Sequence, residues 1–110
     1  PRFSLNGAIS EFENARTLSD RADVKESLSG SSGTVEIRVH SVERTFGIGI
    51  SEVFRGGNTL IAKVAGVGEV EIRIPNSADS NEFRNGHEVE IPVSIADWNA
   101  VRKRLVLEAQ

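Results

Sequence analysis

The residue types that most often perform catalysis are few in this chain. The two histidines, His40 and His87, lie far apart, and neither belongs to a His-Glu-x-x-His or Gly-x-Ser-x-Gly pattern. Cysteine is absent from the sequence, which excludes thiolate nucleophiles, disulfides and cysteine-ligated zinc or iron–sulfur sites. The carboxylates of Glu69 and Glu71 alternate with apolar residues, which is typical of the solvent face of a strand. We therefore expect no catalytic residue, no cofactor and no metal site.

Aromatic and basic residues offer binding chemistry instead. Phe54 and Arg55 precede a Gly-Gly turn, and the only tryptophan, Trp98, lies close to a run of three cations. Tryptophan and arginine are enriched where protein surfaces bind partners. Trp98 has two open interpretations, an exposed anchor for a partner or a plug for the open end of a β-barrel. The candidate binding surface comprises Phe54, Arg55, Trp98, Arg102, Lys103 and Arg104.

Composition limits the classes of partner. The chain has 110 residues, of which 38% are hydrophobic and 26% charged, and this is a globular composition for one compact domain. The net charge of −3 argues against a strongly basic nucleic-acid-wrapping protein. We expect no membrane insertion, because no apolar run approaches 18 residues. The start at Pro1 and the lack of methionine suggest a domain cut from a longer protein, and the cellular compartment is not indicated.

Residues 1–33 are predicted to form an N-terminal arm and one helix. The helix is predicted over 9–28, with Ser10 and Glu13 as a capping box and Gly30 as a left-handed C-terminal cap. Phe3 and Leu5 are expected in a short extended arm. A thin apolar stripe at helical spacing consists of Phe12, Ala15, Leu18 and Ala22.

Residues 34–110 alternate between apolar and polar positions and predict five strands. A long first strand runs from 34 to about 50, and its apolar parity shifts near His40–Ser41, which indicates a β-bulge. The Gly66-Val67-Gly68 segment predicts a hairpin turn. Pro92 indicates a strand edge or a bulge, because proline cannot donate a ladder hydrogen bond. The polar stretch 76–86 connects the third and fourth strands and has room for a short helix over 77–84.

This order of elements resembles the OB-fold, a small five-stranded barrel used by many binding proteins. The resemblance rests on the bent first strand, the start Gly86-His87-Glu88-Val89 and the closing Arg104-Leu105-Val106-Leu107-Glu108-Ala109. With its preceding helix, the chain is similar to bacterial families of tRNA-anticodon-domain-like proteins. The resemblance implies a mainly β fold, a five-stranded antiparallel OB-like barrel preceded by one N-terminal helix. An open meander or a small sandwich is the alternative.

The function predicted from these features is a non-enzymatic binding or interaction module within a larger protein. The expected partner is another protein, or a second copy, which meets the N-terminal helix or a free strand edge. The alternative is single-stranded nucleic-acid binding on an OB-type face, which needs a basic groove and exposed aromatics. Its candidates include Arg38, Phe46 and Lys63, although the acidic charge disfavours it. A structural or oligomerisation domain is the third possibility.

Overall fold

The computed structural model describes residues 4–45, 50–77 and 83–109. Within these ranges, two helices precede five strands. The helices are α1 (Leu5–Asn14) and α2 (Leu18–Leu28). The strands are β1 (Ser32–Arg44), β2 (Asn58–Val64), β3 (Gly68–Ile74), β4 (Glu88–Asn99) and β5 (Arg104–Ala109).

The five strands form a closed barrel in the order β1-β2-β3-β5-β4, with β4 pairing back onto β1. This confirms the mainly β class and is consistent with an OB-like small barrel. The expectation of a purely antiparallel sheet was wrong, because β3 and β5 run parallel, with Val70 opposite Leu105. Strand direction cannot alternate all the way around a closed ring with an odd number of strands. A five-stranded barrel therefore requires at least one parallel pair.

The prediction of a single N-terminal helix was also wrong, because the segment forms two helices. The backbone at Ala15 leaves the helical region, with ψ near 106°. Thr17 then starts α2 as its N-cap, and the Thr17 hydroxyl accepts a hydrogen bond from the Asp20 amide at 3.0 Å. Threonine in this position satisfies a free amide of the new first turn, so the chain stops one helix and begins another.

The first helix begins earlier than the sequence suggested. The Ser4 hydroxyl accepts the Gly7 amide at 3.1 Å and caps α1, while Ser10 lies within the helix. Leu5 is thus the first helical residue and is buried, not part of an extended arm. Together with Ala8 and Phe12, Leu5 belongs to the main hydrophobic cluster of the barrel. The spacing of three and four residues places all three on one face of α1.

The interior of the barrel is filled by the alternating apolar residues that the sequence indicated. The predicted hairpin between β2 and β3 is present, and the predicted bulge shifts the β1–β2 register between Val39 and Ser41. Fully buried side chains include Val39, Leu60, Val70, Ile72, Val93, Leu105 and Leu107.

Pro92 lies within β4, which pairs with β1 at this position. Odd-numbered positions of β1 and β4 make the ladder hydrogen bonds, as between the Val39 amide and the His87 carbonyl. Pro92 stands opposite Thr34, a pair that the ladder does not bond, and the described pairing with β5 begins only at Val93. The position without an N–H therefore points away from β1.

Several predictions fall on residues outside the described ranges. These are the placement of Phe3 in an extended arm, the packing of Phe46 and most of the possible helix over 77–84.

Candidate functional site

A shallow groove lies between α2 and the β4–β5 hairpin. Its volume is about 210 Å³. α1 supplies the floor through Phe12, α2 supplies one wall, and the end of β4 with the following turn supplies the other. We call it the α2–hairpin groove, and its lining residues are Phe12, Leu18, Arg21, Ala22, Lys25, Asp97, Trp98 and Ala100.

Two stacked aromatic rings form the deepest part of this groove. The ring centroids of Phe12 and Trp98 are 5.5 Å apart, and the ring planes differ by 5°. Phe12 is almost fully buried, whereas Trp98 is half-buried and packs against the core cluster from its edge. The stack therefore joins α1 to β4, and part of the indole remains accessible from the groove.

The groove is bordered by exposed apolar side chains. Leu18, at the start of α2, is 83% exposed, and Val101, which follows Ala100 in the turn, is 93% exposed. Half-buried Val24 and Leu28 dock α2 on the barrel, and Leu18 lies beyond them at the free end of the helix. Single exposed apolar residues are common on protein surfaces, but Leu18 lines the same groove as the half-buried Trp98.

The charges at the groove are mainly positive. Arg21 donates from Nε to the Ala15 carbonyl at 3.3 Å, and Lys25 forms an ion pair with Asp97 at 3.4 Å. The neighbouring turn adds the exposed cations Arg102 and Lys103. Of the three charged residues that line the groove, two are cations and one is a carboxylate.

The position of Trp98 bears on both of its interpretations, the exposed anchor and the plug of the barrel. Trp98 lies in strand β4, opposite Leu105, and not in a turn. The Trp98 backbone amide donates a hydrogen bond to the Asp97 carboxylate at 2.8 Å. This bond sits beside the register shift between Ile95 and Asp97. Because the indole stacks on α1 and stays half-buried, Trp98 combines packing with partial exposure.

Phe54 was expected to be an exposed aromatic, but it is buried, with 8% of its surface accessible. It lies in the β1–β2 connection, where the Asn76 side chain donates to the Glu52 and Arg55 carbonyls at 2.8 and 2.9 Å. Arg55 itself is exposed and donates to the Ile50 carbonyl at 3.2 Å. These bonds fold the connection back on itself, which turns the Phe54 ring inward.

The basic run after Trp98 divides into two kinds of residue. Arg102 and Lys103 are exposed in the β4–β5 turn, and Lys103 has a positive φ of 55°. Arg104 is instead half-buried at the start of β5, with ion pairs to Glu69 at 2.8 Å and Glu71 at 3.6 Å. The Arg104 guanidinium is therefore held by carboxylates on the outer face of the barrel, while Arg102 and Lys103 remain accessible.

The structure does not gather the six predicted residues into one surface. Arg104 pairs with Glu69 near the start of β3, whereas the connection carrying Phe54 and Arg55 meets β2 opposite Ile74, at the end of β3. Five residues of strand separate these positions, or about 17 Å at 3.3 Å per residue. Trp98 lines the α2–hairpin groove, and Arg102 and Lys103 lie exposed in the turn that follows β4.

The barrel face between these two groups carries neutralised charges. Arg73 pairs with Glu108 at 3.7 Å, and Arg104 pairs with Glu69 and Glu71. The Asn99 side chain adds a hydrogen bond to Glu71 at 2.8 Å. A polyanion would have to compete with these carboxylates for the same cations.

In the described parts of the chain, no group of three or more His, Asp or Glu residues is placed to hold a metal ion. None of the helices described is long and apolar enough to cross a membrane.

No protein-family model matches this chain, and no curated protein is detectably similar to it.

Sequence reasoning missed three contributors to the groove, namely Phe12 as its floor, Leu18 as its exposed border and Ala100 in its far wall. The first two were assigned to one apolar stripe on a continuous helix. The signal that separates them is Thr17-x-x-Asp20, an N-cap pattern that restarts the helix and rotates Leu18 away from the core.

Proposed function

We propose that this chain is a non-enzymatic interaction module that binds a protein segment in the α2–hairpin groove. The observation that carries the proposal is the exposed Leu18 side chain, which lines the same groove as the half-buried Trp98. Burying a leucine-sized side chain contributes about 1.5–3 kcal/mol. A micromolar affinity corresponds to about 8 kcal/mol, so apolar burial supplies only part of it, and hydrogen bonds and charge pairs with the partner must supply the rest and offset the cost of association.

The chemistry of the groove favours a short amphipathic partner with acidic flanks. The apolar floor accepts one or two large aliphatic or aromatic side chains. Arg21 and Lys25 line it together with the carboxylate of Asp97, and exposed Arg102 and Lys103 follow in the β4–β5 turn. Complementary charge at the border of an interface selects the partner and speeds its association.

Single-stranded nucleic-acid binding is the alternative proposal, supported by the resemblance to tRNA-anticodon-domain-like barrels. It would use exposed Arg102 and Lys103 with stacking on Trp98. It is weaker because Arg73 and Arg104, on the barrel face itself, already pair with carboxylates. Self-association through the same groove is a third outcome, in which the occupant is a second copy.

The test is a selection of random peptides on the folded domain. The selected peptides should bind the Leu18→Asp and Val101→Asp variants at least tenfold more weakly than the unchanged domain. They should also change the fluorescence emission of Trp98 when they bind. The matched control is Val53→Asp, because Val53 is also apolar and 55% exposed but lies in the β1–β2 connection.

Three outcomes would contradict the proposal. Peptides that bind Leu18→Asp and Val53→Asp equally well place the site elsewhere. If a single-stranded oligonucleotide without a terminal phosphate quenches Trp98 fluorescence at low salt, while no peptide does so, the nucleic-acid alternative replaces the proposal. A dimer in light scattering that Leu18→Asp dissociates would assign the groove to a second copy.

A further inference from the structure

The helix α2 buries less of its surface than the other elements do. Among the helices and strands that the structure describes, α2 alone contains no buried residue. Two half-buried side chains, Val24 and Leu28, are its contacts with the core cluster. Because buried apolar surface is the main source of attachment between elements, the apolar attachment of α2 is small.

The sequence of α2 is too short and too polar to maintain a helix in isolation. The helix has 11 residues, and most of them are polar or charged. Isolated helices shorter than about 12–15 residues are marginal in water, even in sequences with a high helix propensity. α2 is therefore helical because it is docked, and leaving the barrel and losing the helix are one event.

Both ends of α2 permit this movement without disturbing the neighbouring elements. α1 ends before Ala15, where the backbone is extended with ψ of 106°. Beyond α2, Gly30 has a positive φ of 84°, which glycine adopts without steric cost. The next residue, Ser31, is fixed to β4, because its carbonyl accepts the Ile95 amide at 2.9 Å. The segment that can move is thus 16–30, which we call the α2 flap.

Within the described residues, one ion pair joins the α2 flap to the barrel. The Lys25 ammonium lies 3.4 Å from a carboxylate oxygen of Asp97 on β4, and the two side chains are 52% and 39% exposed. Pairs this exposed contribute little, because water and salt screen both charges. The polar attachment of the flap is therefore weak as well.

Open clefts lie on both sides of this ion pair. One is the α2–hairpin groove, and the other is a cleft of about 430 Å³ whose lining includes Ser29, Ser94 and Glu108. Among the residues described, only Lys25 and Asp97 line both clefts. The flap therefore crosses β4 with unfilled space on each side, in contrast to the close packing of a protein interior.

We infer that the α2 flap opens and closes on β4 while α1 and the barrel stay folded, and that a protein segment in the α2–hairpin groove holds it closed. The opening rests on the weak attachment of α2, and the partner rests on the proposed function. One wall of the groove, with Leu18 and Arg21, belongs to the flap, and the other, with Trp98, belongs to β4. A segment that contacts both walls binds only the closed form, and a ligand shifts an equilibrium towards the form that it binds.

The opening is tested by amide hydrogen exchange, followed by NMR on the chain without a partner. The amides from Arg21 to Ser29 should exchange about a hundredfold faster than those of Phe12 in α1 and Ile72 in β3. This difference is expected because local opening of the flap does not require the core to unfold.

Asp97→Asn tests the ion pair from the barrel side, so the helix propensity of α2 is unchanged. The new side chain keeps an oxygen that can accept the Trp98 amide, as the carboxylate does. Exchange in the flap should become about two- to fivefold faster, in line with the small contribution of an exposed pair. The matched control is Glu108→Gln, the same change in the same cleft, because Glu108 pairs with Arg73 on β3.

The closing role is tested with a selected peptide that loses its binding to the Leu18→Asp variant. At a peptide concentration of about 100 times its Kd, exchange in the flap should slow about a hundredfold, because the peptide must dissociate before the flap opens. Exchange at Phe54 and Gly57 should not change, since their hydrogen-bonded amides lie in the β1–β2 connection.

Four results would count against the inference. Exchange in the flap as slow as at Ile72 would mean that α2 unfolds only with the barrel. Equal exchange in Asp97→Asn and Glu108→Gln would mean that the ion pair does not attach the flap. A peptide that binds without slowing exchange in the flap would overturn the closing role, while the groove would remain a binding site. If no peptide is selected, the proposed function and the closing role both fail, and exchange in the free chain still decides the opening.

Discussion

The attachment of α1 to the barrel can be tested through the substitution Phe12→Ala. The Phe12 side chain is 2% exposed, belongs to the core cluster and stacks on Trp98. Phenylalanine-to-alanine changes in such sites cost about 3–5 kcal/mol, because transfer energy is lost and a cavity remains. Domains of this size have a total stability of about 5–15 kcal/mol, so the variant should be much less stable but still measurable.

The assay is urea unfolding followed by circular dichroism. With a slope of about 2 kcal/mol per molar urea, a loss of about 4 kcal/mol lowers the midpoint by about 2 M. Phe12→Leu keeps most of the apolar volume and loses the aromatic contact, which is worth about 0.5–1.5 kcal/mol. It should therefore lie between the wild type and Phe12→Ala. The matched control is Leu18→Ala, at an exposed helical position, which should change stability by less than about 0.5 kcal/mol.

The reasoning would be refuted if Phe12→Ala shifted the midpoint no more than Leu18→Ala. In that case α1 would not unfold together with the barrel, and the floor of the α2–hairpin groove would not be part of the core. A change in Trp98 emission without loss of stability would lead to the same conclusion, because the indole would have lost its neighbour while the barrel kept its packing.

Three further predictions concern the barrel face and the β1–β2 connection. Arg104→Gln should destabilise the chain by about 1–3 kcal/mol in urea unfolding, because it leaves the half-buried carboxylates of Glu69 and Glu71 without their cation. An unchanged free energy of unfolding would mean that solvent already screens these ion pairs. Gly57→Ala should lower the melting temperature by about 4–20 °C. A Cβ there would lie 2.7 Å from the Ile74 carbonyl oxygen, and the backbone movement needed to relieve this contact costs about 1–3 kcal/mol. An unchanged melting temperature would show that the connection moves freely. Asn76→Ala should speed proteolysis near Glu52–Arg55 severalfold, because two carbonyls lose their donor; equal cleavage of both proteins would contradict that role.

Local patterns predicted the parts of the fold that depend on neighbouring residues. The bulge at His40 followed from a parity shift, and the β2–β3 hairpin followed from its glycine turn. The parallel pairing of β3 with β5 joins distant segments, and no local period records which strands will be neighbours. The second helix was missed because apolar spacing continued through Thr17, although the cap interrupts the hydrogen bonding.

The candidate site was predicted less well than the fold, for a physical reason. Trp98, Arg102 and Lys103 were identified because their residue types are informative wherever they lie. The burial of Phe54 depends on how the β1–β2 connection folds against Asn76, a residue more than twenty positions away. Exposure of an aromatic side chain in a long connection is a tertiary property, and its neighbours in sequence do not determine it.

The way the barrel closes also sets the order in which it can assemble. The β2–β3 hairpin joins residues close in sequence, whereas the seam between β1 and β4 pairs Ser32 with Ser94, more than half the chain away. Closing so long a loop costs chain entropy before any contact forms, so the seam should complete late on the folding pathway. Substitutions such as Val93→Ala at the seam should then mainly accelerate unfolding, while Ile72→Val in the hairpin should mainly slow folding. The lifetime of the native barrel thus depends on the seam, and its speed of formation depends on the hairpin.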